Sequence, residues 1–395
     1  MKLRQWIAGF FLCAFLSSFS QEQHIPKFGN GIFNLVDQDS TWSMKIGARV
    51  QFLTSINWSE TQNEGWGNAN SNFLIRRARL TLEGFALTPK LTYKIQLGVS
   101  NRDILTANEF TGNTPGIIRD AVLMWNFYEN FELWIGQTKL PGNSERLISS
   151  GTLQFVDRSS LNAEFNIDRD LGFQLHHHFN ITDNFMIREK LAFSQGEGRN
   201  IISGNLGGYQ YTARIELLPF GDFSFGDPIY EKTPKFMISG AYNFNDNAVK
   251  TRGTLGSYMI NDVGLYMTNV NSLFLDAMFK YKGISFLGSY AQRDAKDPIA
   301  KNSDGSPTGN VVQVGKGFNF QAGYLFPSNW EIAARYTHSK WSLDQTSLLP
   351  ERQYTLGVSK YIIGHNLKIQ SDLNYLTNTN FVKELFCRLQ IQILF

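Results

Sequence analysis

The sequence predicts an all-β chain, a transmembrane antiparallel β-barrel of about sixteen strands, and three observations predict it. From Trp42 to Trp58 the even positions read Trp42, Met44, Ile46, Ala48, Val50, Phe52, Thr54, Ile56 and Trp58, an apolar face broken only by Thr54. The odd positions read Ser43, Lys45, Gly47, Arg49, Gln51, Leu53, Ser55 and Asn57, so the same strand has a wet, basic face. Second, the alternation recurs along the chain, with a short turn at one end of each pair and a long polar loop at the other. Third, the last strand alternates Leu385, Cys387, Leu389, Ile391, Ile393 and Phe395 with Glu384, Arg388, Gln390 and Gln392, and ends on the aromatic. Lipid outside and water inside a closed sheet satisfy both faces; a soluble sandwich would need a second sheet over the apolar one.

The bounds agree. After residue 20 no apolar run approaches the roughly 18 residues that a membrane helix needs. Residues 1–20 read as a signal peptide: Lys2 and Arg4, the apolar run from Trp6 to Leu16, then Ser18, Phe19 and Ser20 as the cleavage site. Cys13 leaves with that leader, so Cys387 has no intramolecular partner. The formal charge of +3 falls to about +1 without Lys2 and Arg4, too balanced to imply nucleic acid.

In order, residues 21–41 are a short periplasmic lead-in and 42–395 the barrel. Ser59–Ser71 is an external loop, Phe73–Phe85 the returning strand, Thr88-Pro89-Lys90 a turn and Leu91–Val99 the next strand. Ile117–Phe127 and Phe131–Thr138 meet at Glu129-Asn130; a long excursion, Leu140–Arg169, precedes Leu171–Ile181. Phe185–Phe193 and Tyr209–Leu217 follow, with a turn at Pro219–Asp222. The remaining strands are Phe236–Tyr242, Leu273–Tyr281, Ile284–Tyr290, Phe318–Phe326, Trp330–Tyr336, Tyr354–Tyr361, Leu367–Tyr375 and Leu385–Phe395. The loops between them are Asn243–Val270, Gln292–Gly315, Lys340–Arg352 and Thr377–Lys383.

On the inward face of the first three strands, Lys45, Arg49, Arg77, Arg79 and Lys94 meet only Glu83. A basic wall of that kind replaces the hydration of a passing anion. Over later strands, where Arg335 also points inward, acids and bases are nearly matched, and salt-bridged pairing for stability is the competing account. His176 and His178 share a face, but no third metal ligand follows at a recognisable spacing. Asp294, Asp297, Asn302 and Asp304 lack the spacing of a calcium loop. No hydrolase, P-loop or zinc-protease motif occurs, so the expectation is no enzyme, no metal and no cofactor. Trp66, Phe110, Phe155 and Phe165 would form a sugar slide if the loops exposed their rings.

Five stretches carry a resemblance: Ile46–Gln51 (IGARVQ), Arg76–Leu80 (RRARL), Arg119-Asp120-Ala121, Phe131–Pro141 (FELWIGQTKLP) with Glu145-Arg146, and Trp330–Tyr336 (WEIAARY). In this order they resemble the family of phosphate-selective porins O and P. The resemblance implies a sixteen-stranded trimeric channel whose long third loop, here Leu140–Arg169, folds into the lumen as a constriction. It also implies a central anion site, at Arg49, Arg76, Arg77, Asp120, Lys139, Ser149 and Ser150. Two features depart from the pattern. Simple alternation points Arg76 outward, so only a bulge would bring it in. The third loop carries Glu145, Asp157, Glu164, Asp168 and Asp170 beside Arg146, Arg158 and Arg169, and so is not plainly cationic.

The expected function is therefore an outer-membrane porin of a Gram-negative bacterium, a passive diffusion channel preferring anions such as phosphate. Its partners are outer-membrane lipid and two further copies in a homotrimer. A general or sugar-permeable porin, a barrel adhesin and a soluble carbohydrate-binding protein are the alternatives, separable by ion selectivity, sugar permeation, absence of current, and solubility without detergent.

Overall fold

The structure, a computed structural model, describes residues 27–61, 65–105, 108–112, 116–202, 204–226, 230–342, 350–378 and 383–395. The signal peptide read at 1–20 lies outside them.

Sixteen long strands form one antiparallel sheet that closes on itself. They are β1 (Ser43–Thr61), β2 (Asn70–Ala86), β3 (Thr88–Gly98), β4 (Ile118–Tyr128), β5 (Phe131–Lys139), β6 (Arg169–Asn180), β7 (Met186–Ser194) and β8 (Gln210–Leu218). The second half comprises β9 (Lys235–Ala248), β10 (Thr268–Tyr281), β11 (Ile284–Ala295), β12 (Gly315–Leu325), β13 (Trp330–Trp341), β14 (Glu351–Ile363), β15 (Leu367–Asn378) and β16 (Lys383–Leu394). Each strand pairs with its sequence neighbours, and β1 pairs with β16 from Arg49↔Leu394 to Glu60↔Lys383. Closure leaves no long edge of unpaired backbone, which lipid could not hydrate.

Strand order and the alternation agree with the sequence reading; several bounds do not. β9 runs six residues and β10 three into the segment expected to be loop, because inward polar positions such as Asn243, Asn245 and Ser272 keep the period of two. The connection after β8 is not a tight turn at Pro219–Asp222 but runs from residue 219 to 234, turning Phe223 and Phe225 onto Met237 and Met278, where Ile148 also packs. In the lead-in, Phe33–Val36 folds back antiparallel on Ser43–Ile46. It covers the part of β1 that reaches past the end of β16, and Phe28 meets the ring of Phe395 edge-on at 5.7 Å.

Outward side chains such as Phe52, Leu123, Trp125, Ile135, Phe173, Tyr211, Ile238, Phe320 and Leu356 are exposed, with no second layer of protein over them. A continuous apolar band of this extent is a surface for hydrocarbon rather than water.

The interior is asymmetric. The segment from Leu140 to Asp168, with helices α1 (Ser144–Leu147) and α2 (Ser160–Phe165), lies against the inner wall. Leu140, Leu161, Phe165 and Ile167 bury themselves on Ala192, Ala241, Phe274, Ala291 and Trp341, which face inward from β7 to β13. Phe165 stacks on Trp341 at 5.1 Å. Complete burial of side chains of this size contributes about 1.5–3 kcal/mol each. A second apolar cluster around Met259, Val270 and Val312 lies toward the long loops, and a third around Leu218, Met278 and Phe225 toward the short turns. Apolar clusters thus occupy one side of the lumen. A cavity of about 730 Å³ lies on the other side, walled mainly by β2 to β7.

Candidate anion site at the third loop

The loop backbone needs partners for its carbonyls in this interior, and the wall supplies them from inward side chains. Gln51 donates to Ser150 O at 3.2 Å, Gln392 to Gly151 O at 2.9 Å, and Lys368 and Gln370 to Leu153 O at 3.0 and 3.1 Å. Gln154 reaches Glu331 at 2.6 Å and Ser285 at 2.9 Å. These bonds hold residues 149–158 between β1–β2 and the far wall.

Two bulges then decide which charges meet the loop. In the β1–β2 ladder Gln51 faces Arg77 and Phe52 faces Ile75, so Arg76 is the extra residue. In β3–β4, Gln96 faces Asp120 and Leu97 faces Ile118, so Arg119 is extra. A bulge re-aims a side chain that strict alternation would send to lipid. Arg76 and Arg77 consequently both reach the loop, as Arg119 and Asp120 both reach the lumen.

Arg76 holds Asp157 through two bonds, Nε at 3.2 Å and Nη2 at 2.7 Å, and Arg77 Nη2 donates to the same carboxylate at 2.9 Å. Arg388 approaches it at 3.5 Å while binding Asp372 bidentately. Arg79 grips Asp103, from the second loop, at 2.6 and 2.7 Å, and Arg119 shares that carboxylate at 2.9 Å. Ser150 Oγ accepts from Arg49 at 2.9 Å and Arg79 at 2.8 Å, and Ser149 Oγ from Arg49 at 3.4 Å. Arg49 has no carboxylate within ion-pair distance among the described residues, and its Nε is buried without a partner. Five guanidiniums, of Arg49, Arg76, Arg77, Arg79 and Arg119, therefore surround the carboxylates of Asp103 and Asp157, and the cluster stays net positive. Burial acts to raise the Asp103 carboxyl, but the hydrogen bond and charge of Arg79, with the charge of Arg119, hold it down at about 2.

The other expected site residues divide among three places. Asp120 accepts two bonds from Arg169 at 2.8 and 3.0 Å, beside Thr138. Lys139 is close by and donates to the carbonyls of Leu147 and Ile148 at 2.8 and 3.2 Å. Arg335 sits across the lumen, donating to Asp157 O at 2.9 Å with its guanidinium 4.6 Å above the Phe155 ring. Lys45 and Lys94 lie toward the short turns, flanking Glu83 at 3.8 and 3.9 Å.

Most arginines of the expected site are buried, Arg49 at 8% and Arg77 at 5% exposure, while Arg76 is half-buried. On the later strands the balanced charges are paired, Glu216 with Arg188, Lys190 and Arg214, and Asp372 with Arg388. The mixed third loop is paired too, Arg146 and Arg169 on Asp168 and Arg158 on the carbonyls of Glu145 and Ile148. The sugar slide does not form: Phe155 and Phe165 are buried as anchors of the loop, and Phe110 packs on Tyr258 at 4.0 Å. Sequence reasoning missed Asp103 and Arg119, since no period reveals a bulge or a carboxylate returning from a neighbouring loop.

No curated protein matches the chain by sequence. Among solved structures, the chain resembles the anion-selective porin from Comamonas acidovorans, with TM-score 0.53 and 12% identity over 90% of this chain and 100% of that one. It resembles Pseudomonas putida OprB, with TM-score 0.56 and 9% identity over 89% and 94%, and the outer-membrane channel DcaP of Acinetobacter baumannii, with TM-score 0.54 and 10% identity over 91% and 99%. Identities this low speak for the fold alone. The model of the family described as phosphate-selective porin O and P matches residues 56–214, which contain the RRARL, Arg119-Asp120-Ala121 and FELWIGQTKLP stretches. Over that stretch and those motifs, the chain is similar to the phosphate-selective porin O and P family.

Proposed function

We propose that the protein is an outer-membrane porin, a passive diffusion channel for small hydrophilic solutes that prefers anions, phosphate among them, and works as a homotrimer. The observation that carries the anion preference is the surplus of guanidinium over carboxylate where the third loop meets β1, β2 and β4. Arginine's planar fork suits phosphate and carboxylate oxygens, and a cluster whose own carboxylates fall short favours a passing anion. Passage is expected along the open side, past Lys94 and Lys139, because apolar clusters fill the other side. The short turns would face the periplasm and the long loops the exterior. Among the structural relatives, OmpT of Vibrio cholerae is described in a trimer form, which supports the same assembly here.

Planar-bilayer recording across a potassium chloride gradient tests this reading. The expected reversal potential favours chloride, with phosphate reducing the chloride current. A reversal potential favouring potassium sinks the anion preference, and absence of any current sinks the channel.

A further inference from the structure

Inward positions of such a barrel are ordinarily polar, since they meet water. On β4 and β5 three of them are apolar: Val122, Met124 and Trp134 line the open cavity of about 730 Å³. Met124 stands directly opposite Trp134 in the ladder. None of the three belongs to the apolar clusters that hold the loops in place. The indole is fixed, its Nε1 donating to Glu132 at 2.9 Å and its ring 4.2 Å from that of His176. This is an oriented apolar surface that stands apart from those clusters.

Cations border it. Lys94 is opposite Val122 in the next strand and shares the single carboxylate of Glu83 with Lys45. Lys139 donates to backbone carbonyls and forms no ion pair among the described residues. The remaining charges on the cavity are engaged elsewhere: Asp120 is held bidentately by Arg169, and Lys190 pairs with Glu216. Strands lie about 4.8 Å apart and residues about 3.4 Å along each, so Lys94 on β3 and Trp134, two strands over and two residues along on β5, are rooted about 12 Å from each other. That span fits one small ring with a carboxylate at its end.

We propose that this cavity binds monocarboxylates carrying an apolar ring, of the size of benzoate, with the ring on Met124 and Trp134 and the carboxylate at Lys94. The proposal deepens the reading of the lumen as a path for anions and rests on it only where current is measured.

Calorimetric titration of the full-length barrel in detergent micelles reads binding whether or not the barrel conducts. Sodium benzoate is expected to bind at least about tenfold more tightly than sodium acetate, as burial of a six-carbon ring implies. Trp134→Ala and, separately, Met124→Gln should each lower benzoate affinity about fivefold or more while leaving acetate unchanged. In bilayers, benzoate should reduce the chloride current at concentrations where acetate does not. Equal affinities for the two carboxylates overturn the proposal, as does benzoate binding that survives both substitutions. Should Trp134→Ala fail to fold, Met124→Gln and Trp134→Phe decide the matter. Benzoate binding in a barrel that favours potassium would sink the anion-channel reading alone.

Discussion

Arg76 and Asp157 lie 81 residues apart in sequence and meet through two hydrogen bonds, because a single extra residue in β2 turns the arginine away from lipid. The pair ties the barrel wall to the third loop. Charge-assisted forks of this type are among the stronger polar contacts, and removing one partner leaves the other desolvated and unpaired.

Asp157→Asn should therefore act in two ways. It removes the carboxylate that Arg76, Arg77 and Arg388 share, so the cluster becomes more positive and the reversal potential should shift further toward chloride. It also weakens the hold on the loop, so open-channel current noise should rise. A shift toward potassium would contradict the charge assignment. Burial tends to raise the Asp157 carboxyl, yet the charges of Arg77, Arg76 and Arg388 hold it well below the ordinary carboxylate range. A depressed value means the stabilisation is complete above the unfolded carboxylate pKa, near 3.9, and is lost only as pH falls through the lower folded value. Loop attachment should consequently persist in mild acid, seen as constant selectivity between pH 7 and about 4.

Arg49→Gln isolates a different term. Among the described residues this guanidinium bonds the hydroxyls of Ser149 and Ser150 and no carboxylate, so replacement breaks no salt bridge there. Two hydrogen bonds to neutral groups contribute about 1–3 kcal/mol together, and the thermal midpoint should fall only slightly. Chloride preference should fall clearly in the same variant. Unchanged selectivity would mean that the positive surplus of the cluster is not felt by permeating ions.

What the sequence made legible follows from periodicity. Alternation places Lys45, Arg49, Arg77, Arg79 and Lys94 on the inner face because a period of two survives wherever lipid and water oppose each other across the sheet. It fails at Arg76 and Arg119, where one added residue shifts the phase locally without changing composition. It also fails at Val122, Met124 and Trp134, where both faces are apolar and the inner one looks like strand filler. Phe155 and Phe165 read as exposed loop aromatics because a loop folded back into a barrel buries its rings against residues hundreds of positions away. The charge pairs on Asp103 and Asp157 depend on loop paths that local propensity does not encode.

At the long-loop end, Glu197 offers a pH test. Its carboxylate accepts from the backbone N–H groups of Leu206 and Gly207 at 3.0 and 3.1 Å, and burial, outweighing those bonds, pushes it up to about 7. An acid with a raised folded value keeps its proton in the closed loop while the opened loop, near the ordinary 4.5, has lost it. Opening should thus become easier as pH rises from 4.5 to about 7 and level off above. Hydrogen exchange at the Leu206 and Gly207 amides, corrected for intrinsic rate, should show that decline in protection. Glu197→Gln should flatten it, and an identical slope in the variant would assign the effect to another group.

Phe225 marks the part of the lumen that the connection after β8 closes. With Phe223, and beside Ile148 of the third loop, it packs on the cluster of Leu218, Met237, Met278 and Leu287, where the short-turn end of the wall and the third loop meet. Its backbone neighbour Gly226 receives a contact from the His365 ring nitrogen, so the connection is tied to the turn between β14 and β15 as well. Truncating a packed phenylalanine costs about 3–5 kcal/mol when the site is fully buried, and less here, where the cluster borders a cavity of about 350 Å³. Phe225→Ala should enlarge that cavity, which is lined by Arg188, Lys190 and Arg214 around the single carboxylate of Glu216. Single-channel conductance should then increase, with chloride preference retained or strengthened because the newly opened wall is basic. Unchanged conductance would show that the filled side of the barrel stays closed without this ring, leaving the Phe165–Trp341 stack and its neighbours to hold it shut.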